Sequence, residues 1–182
     1  MLEIRKIISF NILILFFLIT KTYGDNLENL FNELKKAENI IEAENIEEKI
    51  WESWKTHPKS QYLTNKLENA TYSMNHQQYH IALKLFTDII NEDPNWAEGW
   101  NKRATLLFIM GNYKQSLKDI EKVLKIEPRH FGALSGRAQI YLSYSQFEKA
   151  IKDLENARVI YPLIKSGDTI EKIKKIIKEL QI

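Results

Sequence analysis

The chain has 182 residues, contains no cysteine, and carries 26 lysine and arginine side chains against 24 aspartates and glutamates. The lack of cysteine excludes disulfide bonds and thiol chemistry. The formal net charge is only +2, so the chain lacks the large excess of positive charge that drives binding to a phosphate backbone. We therefore predict that nucleic acid is not a partner.

The first predicted element is a signal peptide at the N-terminus. Lys6 precedes an apolar run over residues 7–19, and the small residue Gly24 follows where a signal peptidase would cut. The run is shorter than the ~20 apolar residues that a membrane-spanning helix needs. We therefore predict a signal peptide over residues 1–24, cleaved after Gly24, with an uncleaved inner-membrane anchor formed by residues 7–19 as the alternative. Removal of residues 1–24 leaves 23 basic and 23 acidic side chains, so the exported chain would be formally neutral.

Residues 25–60 are predicted to form a hairpin of two amphipathic helices. Leu30 and Leu34 lie on one face of the first helix, and Trp51 and Trp54 contribute to the apolar stripe of the second. Such a pair needs an apolar surface to lie against. We predict that the hairpin caps the open face of the element that follows it, and the alternative is a dimerisation hairpin anchored by the two tryptophans.

The next segment contains an internal repeat, marked by three prolines 34 residues apart at Pro94, Pro128 and Pro162. A period of this length predicts stacked helix-turn-helix units that bury each other's apolar faces. Small residues let the two helices of a unit approach closely, and proline ends the second helix. The columns that match in all three units are Ala70, Ala104 and Ala138; Tyr79, Tyr113 and Phe147; Ala82, Ser116 and Ala150; and Phe86, Ile120 and Leu154.

The clearest unit resembles the tetratricopeptide repeat family in the segment WNKRATLLFIMGNYKQSLKDIEKVLKIEP. The units on either side depart from the family pattern at the turn, where Gln77 and Ser145 replace the usual glycine. The clearest unit departs from it at Arg103, where the family usually has leucine. The residues of this unit that occupy the family's signature places are Trp100, Ala104, Gly111, Tyr113, Ser116, Ile120 and Pro128.

The chain is also similar to small exported tetratricopeptide repeat proteins of alphaproteobacteria. The shared strings are AEGWNKRAT, GNY and EPRHFGALSG, with the tryptophan-bearing IWESW ahead of the repeats. The resemblances imply an all-α protein, built as a short right-handed solenoid of three helix-turn-helix repeats and located in the bacterial periplasm. The implied divisions are a signal peptide (1–24), an N-terminal helical hairpin cap (25–60), three repeats (61–94, 95–128 and 129–162) and a C-terminal capping helix (163–182).

In the resembled family, peptides or helices of partner proteins lie in a concave groove lined by the first helix of each repeat. The small residues Gly132, Ser135 and Gly136 would leave room for a ligand backbone there, or would ease the packing of helix on helix. The family's clamps for a C-terminal carboxylate use several lysines and asparagines, and only Asn101 and Lys102 are present, so we do not expect a clamp. The implied groove residues are Leu67, Thr71, Met74, Asn101, Lys102, Thr105, Phe108, Ser135, Gly136, Gln139 and Leu142.

The last predicted element is a basic amphipathic helix that begins near Asp168. Its apolar stripe runs through Ile170 and Ile173, and lysines occupy most of its other faces. Repeat arrays usually end in a helix that covers the last unit and turns a polar face to solvent. We therefore predict a C-terminal cap, and the alternative is a helix that binds a membrane surface.

No cluster in the sequence predicts catalysis, a metal site or a cofactor. His76 and His80 have the spacing of a zinc pair but straddle a predicted turn and lack a third ligand. Arg103 and Arg137 occupy equivalent places in successive repeats, where they would pair with an acid such as Asp119 or bind an acidic ligand. We favour ion pairs inside the repeats, and we predict a non-enzymatic protein that binds no cofactor and no metal.

Two hypotheses of different class follow. The chain is an exported adaptor that binds a peptide or protein partner in its concave groove, or it is a structural subunit of an envelope complex. The structural subunit would dock through its tryptophan-bearing hairpin or its basic C-terminal helix. Membrane contact would come only from an uncleaved signal or weakly from the C-terminal helix. The sequence leaves the identity of the partner and the oligomeric state open.

Overall fold

The computed structural model of the chain describes residues 26–165 and 167–180, and within these ranges the secondary structure is entirely helical. The predicted signal segment, residues 1–24, lies outside the described residues. The all-α prediction is confirmed. The helices are α1 (residues 26–36), α2 (Ile40–Lys55), α3 (Gln61–Asn75), α4 (Tyr79–Glu92), α5 (Ala97–Ile109), α6 (Tyr113–Ile126), α7 (Phe131–Ser143), α8 (Phe147–Ile160) and α9 (Gly167–Leu180).

Three helix pairs form the repeats that the sequence predicts. α3 packs on α4, α5 on α6 and α7 on α8, and each pair also contacts the next. Small buried residues allow the close approach: in the middle repeat, the Ser116 hydroxyl donates a hydrogen bond of 2.7 Å to the carbonyl oxygen of Ala104 on the facing helix. The prediction of a repeat solenoid is therefore confirmed, and the small residues lie where the two helices of each unit meet.

The turn between the two helices has the same backbone conformation in all three repeats. Gln77, Gly111 and Ser145 have φ angles of 60°, 75° and 54°. Only glycine adopts this left-handed region without a steric cost. Where the sequence replaces the family's glycine, backbone hydrogen bonds close the turn, from Gln78 N–H to Ser73 O at 2.9 Å and from Gln146 N–H to Tyr141 O at 2.8 Å.

The two repeat-equivalent arginines form ion pairs inside their own repeats. Arg103 donates two hydrogen bonds to the Asp119 carboxylate, at 2.7 and 2.9 Å, and Arg137 donates two to Asp153, both at 2.7 Å. Each pair joins the two helices of one repeat in the bidentate geometry that suits a guanidinium. The first repeat has Asn69 in the arginine position, so it lacks this link.

The N-terminal hairpin is not where the sequence analysis placed it. Its apolar residues pack against Phe131, Leu134 and Tyr161, at the turns that lead into and out of the third repeat. The prediction of a cap on the open face of the first repeat is wrong for this hairpin, because α2 runs along the edge of the solenoid where the inter-repeat turns lie. The physical reason is that these turns supply large aromatic side chains, which cover the tryptophans of α2.

The last helix, α9, lies on the third repeat. Ile170 and Ile173 are buried against Ala138, Ala150 and Leu154. The lysines of α9 point outward and are exposed. Among the described residues, no helix has the length and apolar character needed to span a membrane.

Candidate peptide-binding groove

The concave side of the solenoid holds a cavity of about 210 Å³ between α5 and α7. Six of the eleven groove residues implied by the sequence line it. Three others, Leu67, Thr71 and Lys102, line a separate cavity of about 320 Å³ beside α3. Met74 is buried in the core of the first repeat, and Leu142 packs against the cluster under α9. The six that line the first cavity are Asn101, Thr105, Phe108, Ser135, Gly136 and Gln139.

The two glycines of α7 have different surroundings. A Cβ atom added to Gly136 would meet no atom within 4 Å, so the backbone is open to the cavity at this point. A Cβ atom added to Gly132 would lie 2.5 Å from Cη2 of the Trp51 indole. Of the two roles considered for these glycines, room for a ligand therefore fits Gly136, and close packing fits Gly132, whose packing partner is α2.

Helix α2 forms a wall of the groove that the sequence did not predict. It lines a cavity of about 450 Å³ with Lys102 of α5, and the end of α2 also borders the cavity beside α3. The amphipathic pattern of α2 shows which face is buried but does not indicate the surface that buries it. The position of this wall therefore becomes evident only from the tertiary structure.

Hydrogen bonds hold α2 in place at both ends. Near its C-terminus, the Trp96 indole N–H donates to the carbonyl oxygen of Trp54 at 3.0 Å. Near its N-terminus, Lys165 Nζ donates to Glu44 Oε1 at 2.7 Å. Burial and the nearby carboxylate of Glu47 raise the pKa of Tyr161, so the phenol beside α2 stays neutral.

A buried polar cluster lies beneath α2, where α5 and α7 begin. Glu98 Oε2 accepts hydrogen bonds from Asn101 Nδ2 at 3.0 Å and from His130 Nε2 at 3.3 Å. His130 Nδ1 accepts a hydrogen bond from the backbone N–H of Ala133 at 3.1 Å, so the neutral ring carries its proton on Nε2. The Trp54 indole stacks on this imidazole, with 4.0 Å between ring centroids. The cluster therefore fixes the start of α7, and with it the helix that carries Gly136.

A second histidine has the same role at the preceding junction. His57 Nε2 lies 2.9 Å from Asp93 Oδ2, and its Nδ1 accepts from the backbone N–H of Lys59 at 3.1 Å. Its ring packs edge-on against Trp96. No role was predicted for His57 or His130, because a lone histidine in a sequence gives no signal of its partner. Within residues 26–165 and 167–180, no three His, Cys, Asp or Glu side chains converge as a metal site would require.

The repeat pattern is that of a known family. The sequence profile described as "Tetratricopeptide repeat" matches residues 97–130, which span α5 and α6. A TPR repeat-containing protein of Rhizobium etli is 38% identical over 136 residues, which are 75% of this chain and 66% of that protein. The chain belongs to the tetratricopeptide repeat family. Domains of this family are non-enzymatic modules for protein–protein interaction.

The tetratricopeptide repeats occur in larger relatives as well. A tetratricopeptide repeat and J domain-containing co-chaperone of Cryptococcus neoformans is 28% identical over 61% of this chain, but the match covers 20% of that protein. The chain thus spans about two thirds of the length of the Rhizobium relative and a fifth of the co-chaperone.

Solved structures have the same fold. The first tetratricopeptide domain of Spaghetti (RPAP3), bound to the HSP90 peptide SRMEEVD, has a TM-score of 0.62 at 19% identity and covers 66% of this chain and 96% of that domain. The Yersinia enterocolitica type III secretion chaperone SycD, in complex with a peptide of the translocator YopD, has a TM-score of 0.60 at 14% identity. It covers 70% of this chain and 100% of that chain.

Proposed function

We propose that this chain is an exported adaptor that holds a peptide or helix of a partner protein in the cavity between α5 and α7. The observation that carries the proposal is the open backbone at Gly136, in a cavity whose sides are Thr105, Phe108 and Gln139. A bare backbone admits a ligand main chain closely, the hydroxyl and amide offer hydrogen bonds, and the phenyl ring offers an apolar contact.

Two structural neighbours support the binding of a peptide by this fold. RPAP3 was solved with an HSP90 peptide and SycD with a peptide of YopD. In the part of the chain that the structure describes, no set of cations comparable to a carboxylate clamp lines the cavity between α5 and α7, since Lys102 lines a different cavity and pairs with Glu98. The partner segment therefore need not end in a free carboxylate. We infer no catalytic role for the chain.

The alternative, a structural subunit that docks through its tryptophans, has less support. Trp54 is only 7% exposed and packs on Phe131 and His130 of its own chain, so it is not available as an anchor. The basic helix α9 is the remaining docking element for this hypothesis. Its outer face exposes Ile176 and Leu180 between lysines, which would suit a weak contact with a membrane or a partner.

The adaptor proposal is tested by site-specific photo-crosslinking in intact cells. A crosslinking residue at Gln139, which is exposed at the rim of the cavity, should capture a partner, and one at Lys118, exposed on α6, should not. A Gly136→Leu substitution fills the cavity without a Cβ clash, so it should remove the Gln139 adduct while the helical circular dichroism is unchanged. Equal adducts at the two positions, or an adduct that survives Gly136→Leu, would contradict the proposal.

Export is part of the same proposal and is supported by the apolar run over residues 7–19 followed by Gly24. We propose cleavage after Gly24 and a periplasmic location. Intact-mass measurement of the protein from the periplasmic fraction should give a chain that begins at residue 25. An uncleaved chain in the membrane fraction would instead support the anchor alternative.

A further inference from the structure

The side of the groove formed by α2 is acidic. The cavity between α2 and α5 and the cavity beside α3 adjoin each other, because Lys55 and Lys102 line both. Carboxylates outnumber ammonium groups along this surface. The charged residues that line the two cavities are Glu44, Glu47, Glu48, Glu52 and Glu68 against Lys55 and Lys102.

Both lysines on this surface already have acidic partners. Lys55 Nζ lies 2.9 Å from Glu52 Oε2 on the same helix, and Lys102 Nζ lies 3.5 Å from Glu98 Oε1. Glu98 is 1% exposed, and its Oε1 accepts no hydrogen bond from the described part of the chain. The buried carboxylate therefore draws the ammonium group of Lys102 inward and offsets its charge at the groove surface.

Glu44 is paired with Lys165, but two of the other acids keep their negative charge available to a ligand. Glu48 and Glu68 are exposed, and neither forms an ion pair with another residue in the two described ranges. Glu48 extends from α2 and lines the cavity between α2 and α5, and Glu68 extends from α3 and lines the cavity beside α3. A ligand that crosses this part of the groove would meet acidic side chains in both cavities.

The acidic surface adjoins the neutral cavity between α5 and α7. Gly132 lines that cavity, and the Trp51 indole that covers Gly132 also lines the cavity next along the groove. A single extended segment could therefore contact the open backbone at Gly136 and the acidic wall. Among the described residues, no charged side chain lines the cavity between α5 and α7.

We propose that the partner segment is basic. It places small or apolar residues in the cavity between α5 and α7 and lysine or arginine residues against the acidic wall that ends at Glu48 and Glu68. Complementary charge of this kind favours encounter and excludes ligands of the wrong sign. The proposal rests on the proposed function and gives the partner a chemistry opposite to that of the HSP90 peptide SRMEEVD, which carries three acids and is bound by the RPAP3 domain.

The test uses two fluorescent peptides of identical sequence, except that one carries lysines where the other carries glutamates. Fluorescence anisotropy with the purified protein should show binding of the lysine peptide, weakened by salt, and no binding of the glutamate peptide. Combined Glu48→Lys and Glu68→Lys substitutions should lower the affinity for the lysine peptide about ten-fold at low salt. Glu148→Lys with Glu155→Lys changes the net charge equally on exposed sites of α8, and should change the affinity less than about two-fold.

The outcomes separate this inference from the function on which it rests. A glutamate peptide that binds and crosslinks at Gln139 would overturn the basic partner and leave the groove adaptor standing. If neither peptide binds and no cellular protein is crosslinked at Gln139, both the basic partner and the groove adaptor would be overturned. If the α8 control loses as much affinity as the Glu48 and Glu68 variant, the lysine peptide is attracted to any acidic surface of the protein. That result would also overturn the inference. Circular dichroism of each variant checks that the fold is retained.

Discussion

The two ends of the solenoid are finished in different ways. At the C-terminal end, α9 covers the third repeat and buries Ile170 and Ile173. At the N-terminal end, α3 faces solvent, with Tyr62 62% and Tyr72 61% exposed. The hairpin that precedes the repeats could have covered this end, but it packs at the far turns instead. The outer face of the first repeat can remain in solvent because it presents tyrosines, whose hydroxyl groups tolerate water.

Equivalent positions in the three repeats show how the two ends differ in burial. Tyr72, Leu106 and Ile140 occupy the same position in the three repeats, 34 residues apart. Leu106 packs into the cluster of the first repeat and Ile140 into that of the second, and both are fully buried. Within residues 26–165, no repeat precedes the one that carries Tyr72, so this side chain has no such neighbour to contact. The same position should therefore contribute strongly to stability in two repeats and weakly in the first.

The largest expected effect comes from truncating this position. Leu106→Ala should lower the free energy of unfolding by about 3 kcal/mol, because it leaves a cavity at the junction of two repeats. Tyr72→Ala should change it by less than about 0.5 kcal/mol, since the side chain is mostly in solvent. Urea unfolding followed by circular dichroism measures both. Similar losses in the two variants would mean that something covers the N-terminal end in solution.

The sequence predicted the repeats well because their signal is local and recurs. The spacing of Pro94, Pro128 and Pro162 placed each helix pair, and the columns of small residues indicated where the helices touch. The hairpin was misplaced for the opposite reason. The pattern in α2 identifies Ile50 and Trp54 as buried, but many apolar surfaces could bury them, and the choice depends on aromatic residues far away in the chain such as Phe131.

A second, smaller effect tests the closed end. Ile173→Ala should lower the free energy of unfolding by about 2 kcal/mol, because the side chain is buried between α9 and the third repeat. Ile176→Ala on the exposed side of the same helix should change it by less than about 0.5 kcal/mol. Urea unfolding measures the free energy of unfolding of both variants, and amide exchange shows whether α9 opens more easily. If Ile173→Ala is silent, α9 is not a cap and the two ends do not differ.

A third prediction concerns the hairpin that left the N-terminal end open. Gly132→Ala places a methyl group against the Trp51 indole, so α2 must shift and the free energy of unfolding should fall by about 1–2 kcal/mol. Gly136→Ala on the same helix meets no neighbour and should raise it by about 0.5 kcal/mol through helix propensity. Tryptophan fluorescence should change only in Gly132→Ala. An unchanged spectrum in both variants would contradict the packing of α2 described above.

The groove was predictable in part, for the same physical reason as the fold. The resemblance to the repeat family, carried over position by position, indicated side chains of α5 and α7 that line the cavity, including Thr105 and Gln139. Register could not indicate that Leu142 would be taken up by the packing under α9, or that α2 would add carboxylates to the wall. These features depend on elements outside the repeats, which have no family pattern to follow.

The smallest expected effect compares equivalent turns at the two ends. Gln77 and Ser145 have positive φ angles of 60° and 54° in the first and third repeats. Gln77→Gly and Ser145→Gly should each raise the free energy of unfolding by about 0.5 kcal/mol, because relief of left-handed strain exceeds the added entropy of the unfolded chain. Gly111→Ala, in the middle repeat, should lower it by about 1 kcal/mol, since φ is 75° there while the space around it is open.

Amide hydrogen exchange in these turn variants compares the stability of the first repeat with that of the third. If the uncovered first repeat opens by itself, Gln77→Gly should slow amide exchange in α3 and α4 without changing exchange in α7. Ser145→Gly should leave α3 and α4 unaffected, because the third repeat is held between its neighbour and α9. Uniform slowing in both variants would mean that the solenoid opens as one cooperative unit, and the exposed tyrosines at its N-terminal end would then carry no cost in local stability.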